Sequence, residues 1–234
     1  MQLVIHERKV RRMALFGKWA SYAGIAILAG GLIISILMRE KPWVQWAAWA
    51  TLLAGLVVSN IGSYHFSKWG TKIRVEHLLA KHLRGLDDRY LLFSYIAPAE
   101  HVLLTPQGLI VLTVRRQRGK ILNDGERWRH SQGFGDWLRN FGRPSLGNPA
   151  KDMQGEMGAM RNFLAKHLPE TQVPVEGVVV FTHPKAELEL NSPTVPVIYA
   201  KALKDYLKDS LTGRPISRKV QRDLAKVFQE EIEK

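Results

Sequence analysis

The sequence contains no cysteine. That excludes disulfides, thiol nucleophiles, iron–sulfur clusters and zinc sites built on thiolates. It also lacks GxxxxGK[ST], so no P-loop cradles a phosphate, and it lacks HExxH and GxSxG, the signatures of zinc metalloproteases and serine hydrolases. No internal repeat and no low-complexity tract interrupts it. Its eight histidines are scattered, and His77 and His82 are too far apart in sequence to form an i,i+4 ligand pair. Acid is scarce: 21 Asp and Glu stand against 34 Lys and Arg, a net charge of +13 over 234 residues. Hydrophobic residues make up 46%, too many for a disordered chain. The basic excess points to an anionic partner, either nucleic acid or lipid headgroups.

Charge is absent altogether from two stretches. Residues 19–38 (WASYAGIAILAGGLIISILM) and 43–64 contain no ionisable acid or base, and only Arg39-Glu40-Lys41-Pro42 joins them. Twenty residues of helix span roughly 30 Å, the hydrocarbon thickness of a bilayer. The short link demands an antiparallel hairpin, so residues 19–66 are expected to be a transmembrane hairpin behind a basic N-terminal segment, residues 1–18. Trp19, Trp43, Trp46, Tyr64 and Trp69 sit near the ends, where amphipathic rings favour the interface. Arg8, Lys9, Arg11, Arg12 and Lys18 precede the first run, and Lys68, Lys72 and Arg74 follow the second. By the positive-inside rule both termini are expected in the cytoplasm, which makes the chain a two-span protein of the cell membrane. Gly31, Ser35, Thr51, Gly55, Ser59 and Ser63 recur at four-residue spacing, which allows close helix packing, either within the hairpin or in a homodimer. Residues 1–18 carry +4, the link +1 and residues 67–234 the remaining +8. Membrane lipid is therefore one expected partner.

The rest reads as an α/β domain, residues 67–211, followed by a C-terminal helix, residues 212–234. Apolar side chains at Ile73, Leu79, Leu83 and Leu86 follow helical spacing. Residues 90–96, 100–105 and 109–115 are strand-like, the last two joined by a Pro106-Gln107-Gly108 turn. Residues 120–122 and Trp128 extend the sheet. A helix is expected from Pro149 or Ala150 to His167, then strands at 177–182 and 195–199 and helices at 202–211 and 217–233. This order implies a mixed sheet with helices on its faces.

The order of pieces carries a resemblance. Val75-Glu76 with Leu83 and Leu86 comes first, then Glu100-His101-Val102-Leu103-Leu104, Pro106 and Gly108. Gly119-Lys120-Ile121, Asn148-Pro149 with Gln154, and Val179-Val180-Phe181-Thr182 follow. Over about residues 70–211 this resembles the nuclease-related domain, NERD, which is related to restriction-endonuclease-like nucleases. The resemblance implies a restriction-endonuclease-like mixed sheet. It also implies a catalytic set of an upstream Glu, an Asp and an E-x-K on the next strand. Glu76 keeps the first, and Glu100 stands where the Asp belongs. At E-x-K this chain has Thr113-Val114-Arg115.

In such nucleases carboxylates on neighbouring strands hold Mg²⁺, which activates water. Thr113 is neutral, and the Arg115 guanidinium cannot accept a proton. The two share one strand face by period 2. Residues 107–123 contain no Asp or Glu that a shifted alignment might use. The site is therefore expected to be degenerate, with no cofactor; only an active nuclease would need Mg²⁺, held by Glu76 and Glu100.

A basic run begins at the same place: Arg115, Arg116, Arg118, Lys120, Arg127, Arg129, Arg139 and Arg143, interleaved with Trp128, Phe134, Trp137 and Phe141. Cations mixed with aromatics suit a surface that follows phosphates and stacks DNA or RNA bases; a solvated basic loop beside an anionic bilayer, with its aromatics packed on the sheet, has the same composition. The sequence thus points to a membrane-anchored protein, degenerate as a nuclease, that binds nucleic acid or a protein partner. The alternatives are an active Mg²⁺-dependent nuclease and a non-enzymatic membrane scaffold.

Overall fold

A computed structural model describes the chain except at residues 39, 71–74, 97, 132–144, 211–212 and 234. It divides into two compact units, one made of residues 1–6, 73–135 and 145–234, the other containing residues 7–72.

The second unit is a pair of helices, α1 (Glu7–Leu37) and α2 (Pro42–Trp69). Pro42 at the first turn of α2 has its fixed φ pre-set for a helix start. Both helices outrun the charge-free segments, and the basic stretch from Arg8 to Lys18 is part of α1 itself. Both are long and apolar enough to cross a membrane. At 1.5 Å per residue they reach roughly 42–47 Å, longer than the roughly 30 Å hydrocarbon layer of a bilayer. Trp19, Ile25, Leu32 and Ile36 on α1 and Trp46, Leu53, Val57 and Ile61 on α2 face outward. The seam between the helices is made of small residues. Gly17, Gly24 and Gly31 on α1 and Gly55 and Gly62 on α2 are buried. A Cβ on Gly24 would meet Ser59 N at 2.5 Å, and one on Gly55 would meet Leu28 Cγ at 2.6 Å. Gly17 abuts Phe66, Gly31 abuts Thr51, and Gly62 abuts Ser21. These glycines pack the two helices of the hairpin against each other.

The first unit is a six-stranded mixed sheet flanked by helices, with a smaller sheet beside it. Its strands are β1 (Gln2–Ile5), β2 (Leu91–Ser94), β3 (His101–Thr105), β4 (Gly108–Arg115), β7 (Val175–Phe181) and β9 (Val197–Tyr199), adjacent in that order. β2, β3 and β4 form an antiparallel meander, while β1, β7 and β9 add in parallel. The strand over residues 2–5 carries no sequence signal that set it apart from the basic N-terminal segment. It pairs with β2 from Gln2↔Leu91 to Ile5↔Ser94. β4 is buried on both faces from Gly108 to Thr113, as a central strand with a parallel neighbour should be.

Alternate residues of β4 therefore belong to different cores. Ile110 and Leu112 join Leu92, Leu103 and Val178 under α3 (Val75–His82). Leu109 and Val111 join Phe93, Val102 and Leu104 under α4 (Pro149–His167). The helix α5 (Leu203–Ser210) shares the α3 face, and α6 (Arg218–Glu233) shares the α4 face. Although the sequence sets residues 212–234 apart, Leu224 and Phe228 of α6 are fully buried, and the Phe228 ring lies 4.8 Å from that of Phe93. The smaller sheet has the order β6 (Arg127–Ser131), β5 (Gly119–Asp124), β8 (Ala186–Asn191). Ile121, Phe181, Met153 and Ala150 tie it to the start of α4.

Candidate functional site

The alternation of β4 decides what its end presents. Leu112 and Val114 point to the α3 face, so Thr113 and Arg115 point to α4. Helix α4 opens on Asn148, whose side-chain oxygen accepts from Lys151 N at 3.1 Å, with Pro149 in the first turn. Asp152 and Glu156 lie one turn apart on this helix and share a face. Both aim at β4. Thr113 Oγ1 donates to Glu156 Oε2 at 2.8 Å, and the Arg115 guanidinium donates to Asp152 Oδ2.

Glu100 completes the cluster. The β3–β4 register pairs Val102 with Val111, and continuing it by two residues puts Glu100 opposite Thr113. Its backbone is held by Tyr95 N, which donates to Glu100 O at 2.8 Å. Tyr95 itself adopts φ +64, a left-handed conformation rare for a side chain of this size. Its ring meets the edge of His101, whose Nδ1 lies 3.0 Å from Ser94 Oγ. These contacts fix the corner from which Glu100 projects.

The electrostatics centre on Glu156. Burial pushes its carboxyl up from 4.5 to about 7. The Thr113 hydroxyl opposes that rise, the charge on Glu100 adds to it, Arg115 opposes it and Asp152 adds to it. Glu156 therefore exchanges its proton near neutral pH.

Glu100, Thr113 and Arg115 thus meet at one strand end. Glu76 is buried, at 1% exposure, on α3, the helix that covers the Leu112 face of the sheet. The two acids on α4 went unnoticed in the sequence, although their i,i+4 spacing just after the Asn-Pro start was available as a signal. The cluster is a poor magnesium cradle. Among the described residues, no group of three or more His, Asp or Glu side chains could share a metal ion. The Thr113 hydroxyl is engaged as a donor, and a fixed cation, Arg115, sits among the carboxylates. The residues present do not fit the Mg²⁺ site that the resemblance implies.

The basic run is dispersed rather than focused. Arg115 is taken by Asp152, and Lys120 Nζ pairs with Glu189 at 2.7 Å. Arg116 is exposed and Arg118 half-buried. Arg127 and Arg129 are exposed on the edge strand β6. They share their sheet face with Glu187 and Glu189 of β8, because Leu122 pairs with Arg129 on one side and with Glu189 on the other. A cleft of about 620 Å³ on this face is lined by both signs, Arg127 and Arg129 against Asp124 and Glu189. Trp128 turns inward and stacks on Phe181 at 6.4 Å. Arg139 and Arg143, with Phe134, Trp137 and Phe141, lie outside the described residues.

Comparison with curated proteins and with solved structures finds no match. The family model of the nuclease-related domain matches residues 71–182, which include Glu76, Glu100, Thr113, Arg115, Asp152 and Glu156. Within those bounds, just under half of its length, the chain is similar to the nuclease-related domain, NERD.

Proposed function

We propose that this is a membrane-anchored protein whose nuclease-related domain no longer cleaves and instead binds nucleic acid on the cytoplasmic side. The observation that carries this reading is the pairing at the two E-x-K positions. Where a metal-binding acid and a lysine would stand, Thr113 and Arg115 are engaged with Glu156 and Asp152. A guanidinium stays protonated at any working pH and cannot relay a proton.

Anchoring is supported by the outward apolar side chains of α1 and α2. Strand β1 precedes the hairpin, yet it belongs to the same sheet as β2, which follows it. A hairpin that spans twice returns the chain to the side it left, as that pairing requires. The basic residues of α1 from Arg8 to Lys18, and Lys68 at the end of α2, support a cytoplasmic side for both ends. The +8 carried by residues 67–234 supports a polyanionic partner.

The test uses the full chain in nanodiscs of uncharged lipid. With supercoiled plasmid and Mg²⁺, no nicking is expected, while a labelled oligonucleotide binds with an affinity that falls as salt rises. Mg²⁺-dependent nicking that disappears in both Glu100→Gln and Glu156→Gln overturns the degenerate reading. No binding at low salt overturns the partner.

A further inference from the structure

A second cluster of exposed cations lies away from the strand ends, on the first half of α6, while Glu230, Glu231 and Glu233 are gathered at its other end. At 100° per residue, Arg218, Lys219, Arg222 and Lys226 fall within an arc of roughly 100°. All four are exposed. Val220, Leu224 and Phe228 occupy the opposite arc and are committed to the core beside Phe93 and Phe163. Lys226 meets Glu230 at 3.9 Å, but among the described residues no acid pairs with Arg218, Lys219 or Arg222.

The placement also runs against helix electrostatics. Ser217 Oγ accepts from Val220 N at 3.2 Å and caps the helix, yet its first turn contains no acid and its last turn no base. Cations beside the positive end of the macrodipole are unfavourable. A local rule broken without compensation in the folded chain is a mark of function. By contrast, in the β4–β6 run Arg115 and Lys120 are paired with Asp152 and Glu189, and Arg127 and Arg129 share their sheet face with Glu187 and Glu189 of β8.

We infer that the outward face of α6, formed by Arg218, Lys219, Arg222 and Lys226, is the surface that binds the phosphodiester backbone of nucleic acid. This rests on the nucleic-acid reading above and moves its contact surface from the β4–β6 run to the C-terminal helix. A phosphate backbone fits better than a bilayer. A helix that docks in a lipid interface needs an apolar face to insert, and the apolar face of α6 is spent on the core. What remains over its first two turns, ahead of Glu230 and Glu233 on the same side, is a row of cations suited to a backbone with one charge per nucleotide. Such contacts carry no base information, so binding is indifferent to sequence.

The test compares three full chains in nanodiscs of uncharged lipid: the parent, the triple variant Arg218→Gln/Lys219→Gln/Arg222→Gln, and the double variant Arg127→Gln/Arg129→Gln. Fluorescence anisotropy with a labelled 20-base-pair duplex of two unrelated sequences reads affinity against salt. The triple variant should bind about tenfold or more weakly at low salt, with the slope of log K against log salt reduced by about 2.7, three contacts at 0.9 each. The double variant should stay close to the parent. Hydrogen exchange on β2–β4 peptides, unchanged in the triple variant, establishes that the domain still folds. Loss confined to the double variant, or a triple variant that binds like the parent, overturns the inference while the nucleic-acid reading stands. A parent that does not bind at all defeats that reading first, and the inference with it.

Discussion

A buried carboxyl that ionises near pH 7 leaves a mark on stability, and Glu156→Gln exposes it. Between pH 4.5 and about 7 the folded chain holds a proton on Glu156 that the unfolded chain has released. Raising the pH through that window therefore favours unfolding. A shift of that size is worth at most about 3.4 kcal/mol, of which about 2.5 falls between pH 5 and pH 8. Glutamine keeps an oxygen able to accept from Thr113 Oγ1 and removes the charge that Glu100 and Asp152 oppose. The variant should match the parent within about 1 kcal/mol at pH 5 and exceed it by about 2–3 kcal/mol at pH 8. Hydrogen exchange on peptides from β4, α4 and β7 reads the domain without interference from the hairpin helices. Parallel pH profiles for the two chains would refute the reasoning, because Glu156 would then titrate alike folded and unfolded.

Two neighbours of Glu156 should move its titration in opposite directions. Arg115→Gln removes a cation and raises the midpoint, whereas Asp152→Asn removes an anion and lowers it; carbon-13 NMR of labelled glutamate reports both, and shifts of the same sign contradict the geometry. Phe228→Ala should cost the domain about 3–5 kcal/mol, because that ring is fully buried against Phe93 and Phe163; a loss under about 1 kcal/mol in hydrogen exchange on β2 and β3 would show that α6 is dispensable. In the hairpin, Gly24→Leu drives a side chain into Ser59 and should weaken α1–α2 packing by about 1–3 kcal/mol. Gly30→Leu, with nothing within 4 Å, should be neutral, and thermal unfolding in detergent micelles ranks the two.

The parts of the fold that were legible in sequence are those with a strong local period. The charge-free runs announced α1 and α2, and the apolar stretches announced β3, β4 and β7. The Pro106-Gln107-Gly108 turn was equally plain, and it is held by Thr105 Oγ1, which accepts from Gln107 N and Gly108 N at 3.2 Å. Strand β1 was not legible, because residues 2–5 form a strand only through the free edge of β2, nearly 90 residues away. Period 2 correctly put Thr113 and Arg115 on one face, while the β3–β4 register is what puts Glu100 opposite Thr113. What faces them could not be read locally. Asp152 and Glu156 reach the site because α4 packs across β4, a long-range contact with no trace in the strand's own sequence.

The pairing of residues 2–5 with β2 also turns assembly into a check on insertion. Strand β1 is synthesised first, but its partner emerges only after both hydrophobic helices have left the ribosome. If a single helix crossed the bilayer, residues 2–5 would be stranded on the far side from residues 91–94. The edge of the main sheet would then stay open, with unpaired backbone groups inviting recognition by quality control. If the hairpin spans a membrane, the four-residue strand makes completion of the sheet conditional on an even number of crossings.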